Sequence, residues 1–316
     1  MSRQAAPPSP SDDEALSTAA RAAAGGPGPL VSILSTSYNH GRWLRDTIVS
    51  VACQTYPRIE HVIVDDGSDD SSLEILSAAA DPRLRWAQTS RVGQARALNE
   101  AFLMSTGGIV GWLSSDDAYY TSDVVDRVVA AFERNPRAAL VYGHAVLVDE
   151  HGLQLQTQWV PPLRVLSYEL PMHILQPAAF VRRSAVGEQF VNESFDLAMD
   201  TELWLRLRDR HEFVRLDHIL AAERHHPGRK SHVLETAADE EARVLDQLHK
   251  PAGGRAAHKR TRRWGVAFRL AGLLLVPQVI GRPRCFVGRL DSHWSLIWRQ
   301  LIVPRARMAQ PPPNRD

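Results

Sequence analysis

The chain has 316 residues, 44% of them hydrophobic and 23% charged, an ordinary globular composition with length enough for one large domain or a domain with an appendage. Its two cysteines, Cys53 and Cys285, sit far apart in apolar stretches, so neither a disulfide framework nor a cysteine-based zinc site is implied, and a reducing cytoplasm fits best. A net charge of +1 hides an asymmetry: residues 251–316 hold thirteen Lys and Arg against two Asp, leaving an acidic body and a basic tail.

Residues 1–29 are rich in Ala, Pro, Ser and Gly and lack the basic-then-apolar order of a signal peptide, so they read as a disordered leader. Leu30–Ser35 is a strand that opens into the loop Thr36-Ser-Tyr-Asn-His-Gly41. Leu44, Ile48, Val51 and Ala52 then stripe one face of a helix over 42–54, which Tyr56-Pro57 ends. Glu60–Val64 is a second strand, and it stops in Asp65-Asp66-Gly67-Ser68. A short helix from Ser71 through Ala80, a strand over 84–88 and a helix over 94–104 follow. The organising stretch comes next: Ile109-Val-Gly-Trp-Leu-Ser-Ser-Asp-Asp117, a buried strand that empties into two adjacent carboxylates.

Strands alternating with helices of about ten residues indicate βαβ units and hence a mainly parallel sheet flanked by helices. Its carboxyl edge, where ligands of open α/β sheets bind, collects Tyr38, Asp65, Asp66, Asp116 and Asp117. Adjacent carboxylates repel unless protons or a cation relieve them, and hard oxygen ligands suit Mg²⁺ or Mn²⁺, which in turn would hold a diphosphate. Read without a ligand, Ser-Ser-Asp-Asp is a loop leading into a helix that starts near Ser122. No Gly-x-Gly-x-x-Gly follows the first strand and no Walker-type loop occurs, so neither a dinucleotide dehydrogenase nor a P-loop NTPase is supported.

Seven stretches in order carry a family resemblance: Val31-Ser-Ile-Leu-Ser-Thr-Ser-Tyr-Asn-His with Leu44 and Ser50; Val62-Ile-Val-Asp-Asp-Gly-Ser-Asp-Asp-Ser; Gly93 with Ala97 and Asn99; Gly107-Gly-Ile-Val-Gly-Trp-Leu-Ser-Ser-Asp-Asp; Gln176-Pro-Ala-Ala-Phe-Val-Arg-Arg; Asp200-Thr-Glu-Leu-Trp-Leu-Arg-Leu; and Arg224-His-His-Pro-Gly-Arg-Lys-Ser. Together they resemble the family 2 glycosyltransferases, which implies the GT-A fold and an inverting, metal-dependent transfer from a nucleotide-activated sugar. The resemblance implies that Ser35, Tyr38, Asp66, Gly93, Asn99 and Asp116 contact the nucleotide, with Tyr38 stacking on the base and Asp66 accepting the imino N–H of a uracil or thymine. It makes Asp117 and His226 metal contacts, with Mg²⁺ or Mn²⁺ as cofactor, and puts Gln176 in the sugar or acceptor pocket. Asp200 is the candidate base that takes the acceptor proton, with Glu202 held in reserve. Each has a plainer reading: Asp66 as a turn residue, Asp200 as a first-turn acid on the helix dipole, the His pair as a polar loop. One departure is Met199, which stands where the family often has the first acid of a pair.

A helix over about 233–249 precedes a boundary at Pro251-Ala-Gly-Gly. Beyond it, Trp264–Ile280 is apolar but interrupted by Arg269 and Pro277, and it is flanked by Arg262, Arg263, Arg282 and Arg284. This basic, partly apolar helical segment suits an anionic membrane surface; packing on the catalytic domain or a second subunit is the other reading. No nucleic-acid module is recognisable. The expected organisation is a leader (1–29), a glycosyltransferase domain (30–250) and a C-terminal segment (251–316) at the inner membrane face. The donor is a nucleoside diphosphate sugar linked to UDP or dTDP, and the acceptor a glycan or lipid-linked hydroxyl of the cell envelope. The alternative is a module that binds nucleotide sugars without transferring them.

Overall fold

The β-branched runs of the first hundred residues form the strands their pattern predicts, in a computed structural model that describes residues 28–160, 174–230 and 234–248. Among these residues nine strands make one sheet, ordered β3-β2-β1-β4-β8-β6-β9-β5 with β7 paired to β6. Its first half is parallel: β1 (Val31–Ser37) lies between β2 (Ile59–Asp65) and β4 (Ile109–Trp112), and β3 (Leu84–Gln88) flanks β2. The second half mixes directions. β8 (Ala179–Arg182) runs antiparallel to both β4 and β6 (Ala138–Val148), β9 (Glu212–Arg224) runs parallel to β6, and short β5 (Ala118–Tyr119) and β7 (Gln154–Gln158) pair antiparallel to β9 and β6.

Both sheet faces are covered, as expected for strands that are apolar throughout. Successive residues of β1 point opposite ways. Leu34 joins Val62, Val110, Trp112 and the helix α3 (Gln94–Met104) through Leu98, Ala101 and Phe102. Ile33 faces Tyr119, Phe180 and the helix α4 (Val124–Arg134), which buries Val124, Val125, Val128, Val129 and Phe132. Each such side chain contributes about 1.5–3 kcal/mol on leaving water. Helix α1 (Gly41–Ala52) and the short α2 (Ser72–Ala78) close the edge over Ile63 through Leu44, Ile48 and Leu76. Gly111 lets β4 and β8 approach, since a Cβ there would lie 2.7 Å from Phe180 Cε1 and 2.8 Å from the Tyr119 hydroxyl.

After β8, a single turn α5 (Arg183–Val186) leads to α6 (Met199–Arg208), and α7 (Leu234–Gln247) packs against α6. The expected helices over 42–54 and 233–249 are α1 and α7, each slightly shorter. The leader to residue 27 and the segment 251–316 lie outside the described residues.

Candidate active site

The carboxyl ends of β1, β2 and β4 open on a cleft of about 680 Å³. Thr36, Ser37, Tyr38 and His40 line it from the loop after β1, Asp66 from the loop after β2, Arg91 and Gly93 from the loop after β3, and Ser114, Asp116 and Asp117 from the turn after β4. The other wall carries Gln176, Met199 and Asp200, with Glu223 from the end of β9 and Arg229 and Lys230 beyond it.

Two loops are clasped on the donor side. Asn39, at φ +54, donates its N–H to Ser68 Oγ at 2.9 Å, and its Oδ1 accepts the Asp69 N–H at 2.9 Å. Asp65 is the turn carboxylate, accepting the Ser68 N–H and hydroxyl at 2.9 and 2.6 Å. Asp66, by contrast, faces the cleft and accepts the Thr89 hydroxyl at 2.7 Å and the N–H groups of Val92 and Gly93 at 2.6 and 2.9 Å. Gly93 holds φ +92 to make that bond and opens α3. Tyr38, 37% exposed, carries the Arg91 guanidinium 4.7 Å above its ring.

The acids after β4 are buried and differ in partners. His226 Nε2 lies 3.0 Å from Asp116 Oδ2, and His40 Nδ1 lies 3.9 Å from Asp116 Oδ1 and 2.8 Å from Ser115 Oγ. Burial pushes the Asp116 carboxyl up, but the His226 hydrogen bond and the His40, His226 and Arg229 charges outweigh it and hold it below the usual range. Burial and the neighbouring Asp116 and Glu223 charges push Asp117 well above that range, although its Oδ1 accepts the Arg224 N–H at 2.9 Å. Burial also lowers His40, keeping an imidazole nitrogen free of its proton. One donor atom each from His40, Asp116 and His226 lie within 4.8 Å of one another, which fits a divalent cation. The structure thus groups Asp116 and His226 with His40, whereas Asp117 lies beside them with Glu223 and Arg229.

Across the cleft, Asp200 sits in the first turn of α6, its Oδ1 accepting the Thr201 N–H at 2.7 Å. Burial, reinforced by the Glu223 charge against that hydrogen bond, pushes its carboxyl up to about 6. Helix α7 brings another acid close: burial and the Asp200 charge push Glu241 up to about 7. Gln176 also stands on this wall, donating to the Trp112 carbonyl and accepting the Ser114 hydroxyl at 3.3 Å.

Four sequence candidates are not among the residues that line the cleft: His226, which is 5% exposed and bonds the cleft residue Asp116, and Ser35, Asn99 and Glu202. Ser35 is fully buried in β1 and hydrogen-bonded to His61 Nε2 at 3.0 Å, so Thr36 and Ser37 take the cleft positions. Asn99 ties α3 to the loop before α6, donating to the Val191 carbonyl and accepting the Val191 N–H at 3.0 Å each. Glu202 is 3% exposed and pairs with Arg206 at 2.8 Å, which bonds the Val186 and Phe190 carbonyls; it is a packing ion pair and no reserve base. His40, Arg91, Glu223 and Arg229 were not singled out from the sequence. His40 and Arg229 lie within quoted motifs, but nothing in the sequence marked Glu223.

Residues 32–186 match the model of Glycosyl transferase family 2. They are a family 2 glycosyltransferase domain. Chondroitin synthase of Escherichia coli is 28% identical over 197 residues, 60% of this chain and 28% of the synthase. The chain spans under a third of the length of the curated relatives it matches over more than half of its own. Staphylococcus aureus TarS 1–349, solved with UDP-GlcNAc, superposes with a TM-score of 0.55 at 14% identity, over 78% of this chain and 82% of that one. The mannosyltransferase PcManGT of Pyrobaculum calidifontis, solved with GDP-Man and Mn²⁺, gives 0.56 at 16% identity over 86% and 84%. The family 2 domain therefore has the fold of these GT-A-like enzymes.

Proposed function

We propose that this family 2 chain moves a sugar from a nucleoside diphosphate sugar to a hydroxyl acceptor with inversion, in polysaccharide or cell-envelope synthesis. The observation that carries the reading is Asp200, a half-buried carboxyl held near pKa 6 on the wall facing the Asp66 and Asp116 side of one cleft. A base must be deprotonated at neutral pH yet basic enough to take a proton, and a carboxyl with pKa near 6 meets both needs. Asp200 takes the acceptor hydroxyl proton as that oxygen bonds the anomeric carbon, and the bond from that carbon to the diphosphate oxygen breaks on the opposite face. The nucleoside diphosphate leaves with the electron pair.

Asp116, with His40 and His226, would hold a divalent cation, whose chemistry is to neutralise charge on the departing diphosphate. Two imidazoles beside one carboxylate favour Mn²⁺ over Mg²⁺, which prefers an all-oxygen shell. Asp117, by its sequence position the second acid, is pushed up in part by the neighbouring Asp116 charge, and a cation held by Asp116 would relieve that repulsion. Asp66 and the loops it ties together hold the base, Tyr38 offers it a stacking face, and Gly93 keeps the backbone close. Arg229 and Lys230 add positive charge at the diphosphate side.

Solved neighbours are bound to UDP-GlcNAc and to GDP-Man, so the uracil or thymine preference rests on Asp66 as an acceptor. The glycan or lipid-linked acceptor, and peripheral attachment at the inner membrane face through the basic tail, rest on sequence composition. Among the described residues no helix is long and apolar enough to cross a membrane. The test is a panel of nucleotide sugars with Mg²⁺ and Mn²⁺, read as binding and as hydrolysis. Cation-dependent binding of one donor that Asp116→Ala abolishes, with turnover lost in Asp200→Asn at unchanged donor affinity, is expected. Absence of binding to every donor with either cation overturns the reading.

A further inference from the structure

Helix α6 opens on Ala198, a residue with no side-chain acceptor for the backbone N–H groups at the helix start. The acceptor comes from another helix. The Glu240 carboxylate of α7 receives three successive N–H groups, those of Asp196 at 3.0 Å, Leu197 at 2.7 Å and Ala198 at 3.0 Å. It is 8% exposed, and although burial pushes its carboxyl up, those N–H groups hold it below the usual range, so it stays ionised. The clasped segment leads directly into Met199 and Asp200, and Asp196, Leu197, Met199 and Asp200 all line the cleft. A second tie reaches the same segment from the opposite side: Lys230, after the His226 loop, pairs with Asp196.

We propose that Glu240 is a positioning residue for the base, fixing the 196–198 segment so that Asp200 faces the acceptor hydroxyl in one orientation. The role rests on the reading of Asp200 as base. Glu240 does not itself line the cleft, so it acts only through the backbone it holds. A carboxylate accepting three convergent N–H groups makes charge-assisted bonds whose geometry leaves the segment little freedom. Misplacing a base by about 1 Å is enough to cost about a hundredfold in rate.

Glu240→Gln keeps the shape but turns one acceptor oxygen into an NH₂ that meets N–H donors. In the full chain it is expected to lower kcat by about tenfold to a hundredfold, in the range set by misplaced catalytic groups, with donor Kd within about twofold of wild type. Asp239→Asn, an exposed neighbour on α7, controls for the helix surface and is expected to leave kcat unchanged. In the Asp200→Asn background Glu240→Gln is expected to remove no further activity, because the group it positions is gone; a purely structural role would lower both backgrounds equally. Wild-type kcat in Glu240→Gln, or losses that multiply across the two backgrounds, overturns the positioning role while leaving Asp200 as base. Wild-type turnover in Asp200→Asn overturns the base assignment and the positioning role with it.

Discussion

Asp200→Asn separates catalysis from stability within one side chain. The Asp200 carboxyl ionises near pH 6 in the fold against an ordinary value of 3.8, so the folded state binds a proton more tightly than the unfolded chain between those values. Stability therefore falls as pH rises through that window, and above pH 6 the buried charge costs the fold up to about 3 kcal/mol, at about 1.4 kcal/mol per tenfold change in proton affinity. Asparagine keeps an oxygen for the Thr201 N–H and carries no charge, so the variant is expected to gain roughly 1–3 kcal/mol at pH 7.5 and nothing at pH 4. For a domain of this size that is about 2–4 °C in Tm per kcal/mol. Thermal melts of both proteins from pH 4 to 8 measure the difference, and transfer assays on the same samples should show turnover lost by a factor of at least about a hundred. A variant that is less stable than wild type at pH 7.5, or that retains turnover, refutes the argument from burial.

Wild-type kcat should fall below about pH 6 as Asp200 takes up its proton, and a flat profile from pH 5 to 8 would remove it as the base. His40→Ala is expected to weaken Mn²⁺ binding by at least about tenfold in calorimetry and to narrow the gap between Mn²⁺ and Mg²⁺; equal affinities before and after would exclude His40 as a ligand. Glu202→Gln removes the charge from a pair with the half-buried Arg206 and should cost about 1–3 kcal/mol in urea denaturation while leaving kcat per folded molecule unchanged. Gly111→Ala drives a methyl into Phe180 and should destabilise by about 1–3 kcal/mol, measured the same way.

The parallel half of the sheet was legible because βαβ units announce themselves: β-branched runs, a helical stripe, then acid at the strand end. The mixed half was not. β5 is two residues long, and β9 runs from exposed to buried, so neither shows one period along its length. Site residues divided on similar grounds. The sequence set Asp65 and Asp66 together at the sheet edge, and only the fold separates them, Asp66 at the cleft and Asp65 in the turn; Ser35 lies one residue too deep in β1, bonded to His61, while Thr36 and Ser37 reach the cleft. Asp200 and Glu202 are two positions apart on a helix and cannot share a face, which geometry alone assigns to cleft and core. Glu240 lies forty residues beyond the segment it holds, and no local pattern carries that link.

The cleft is a seam between two halves built by different rules. Thr36, Asp66, Gly93 and Asp116 come from parallel strand ends locked by hydrogen bonds among their loops, while Gln176, Met199 and Asp200 come from the chain after residue 174. The seam is stitched by His226 to Asp116 and by the Arg224 N–H to Asp117, so a later portion taken from a related enzyme would have to keep the end of β9 and the His226 loop for the donor side to stay intact, while the stretch around residues 174–200 could vary with what receives the sugar.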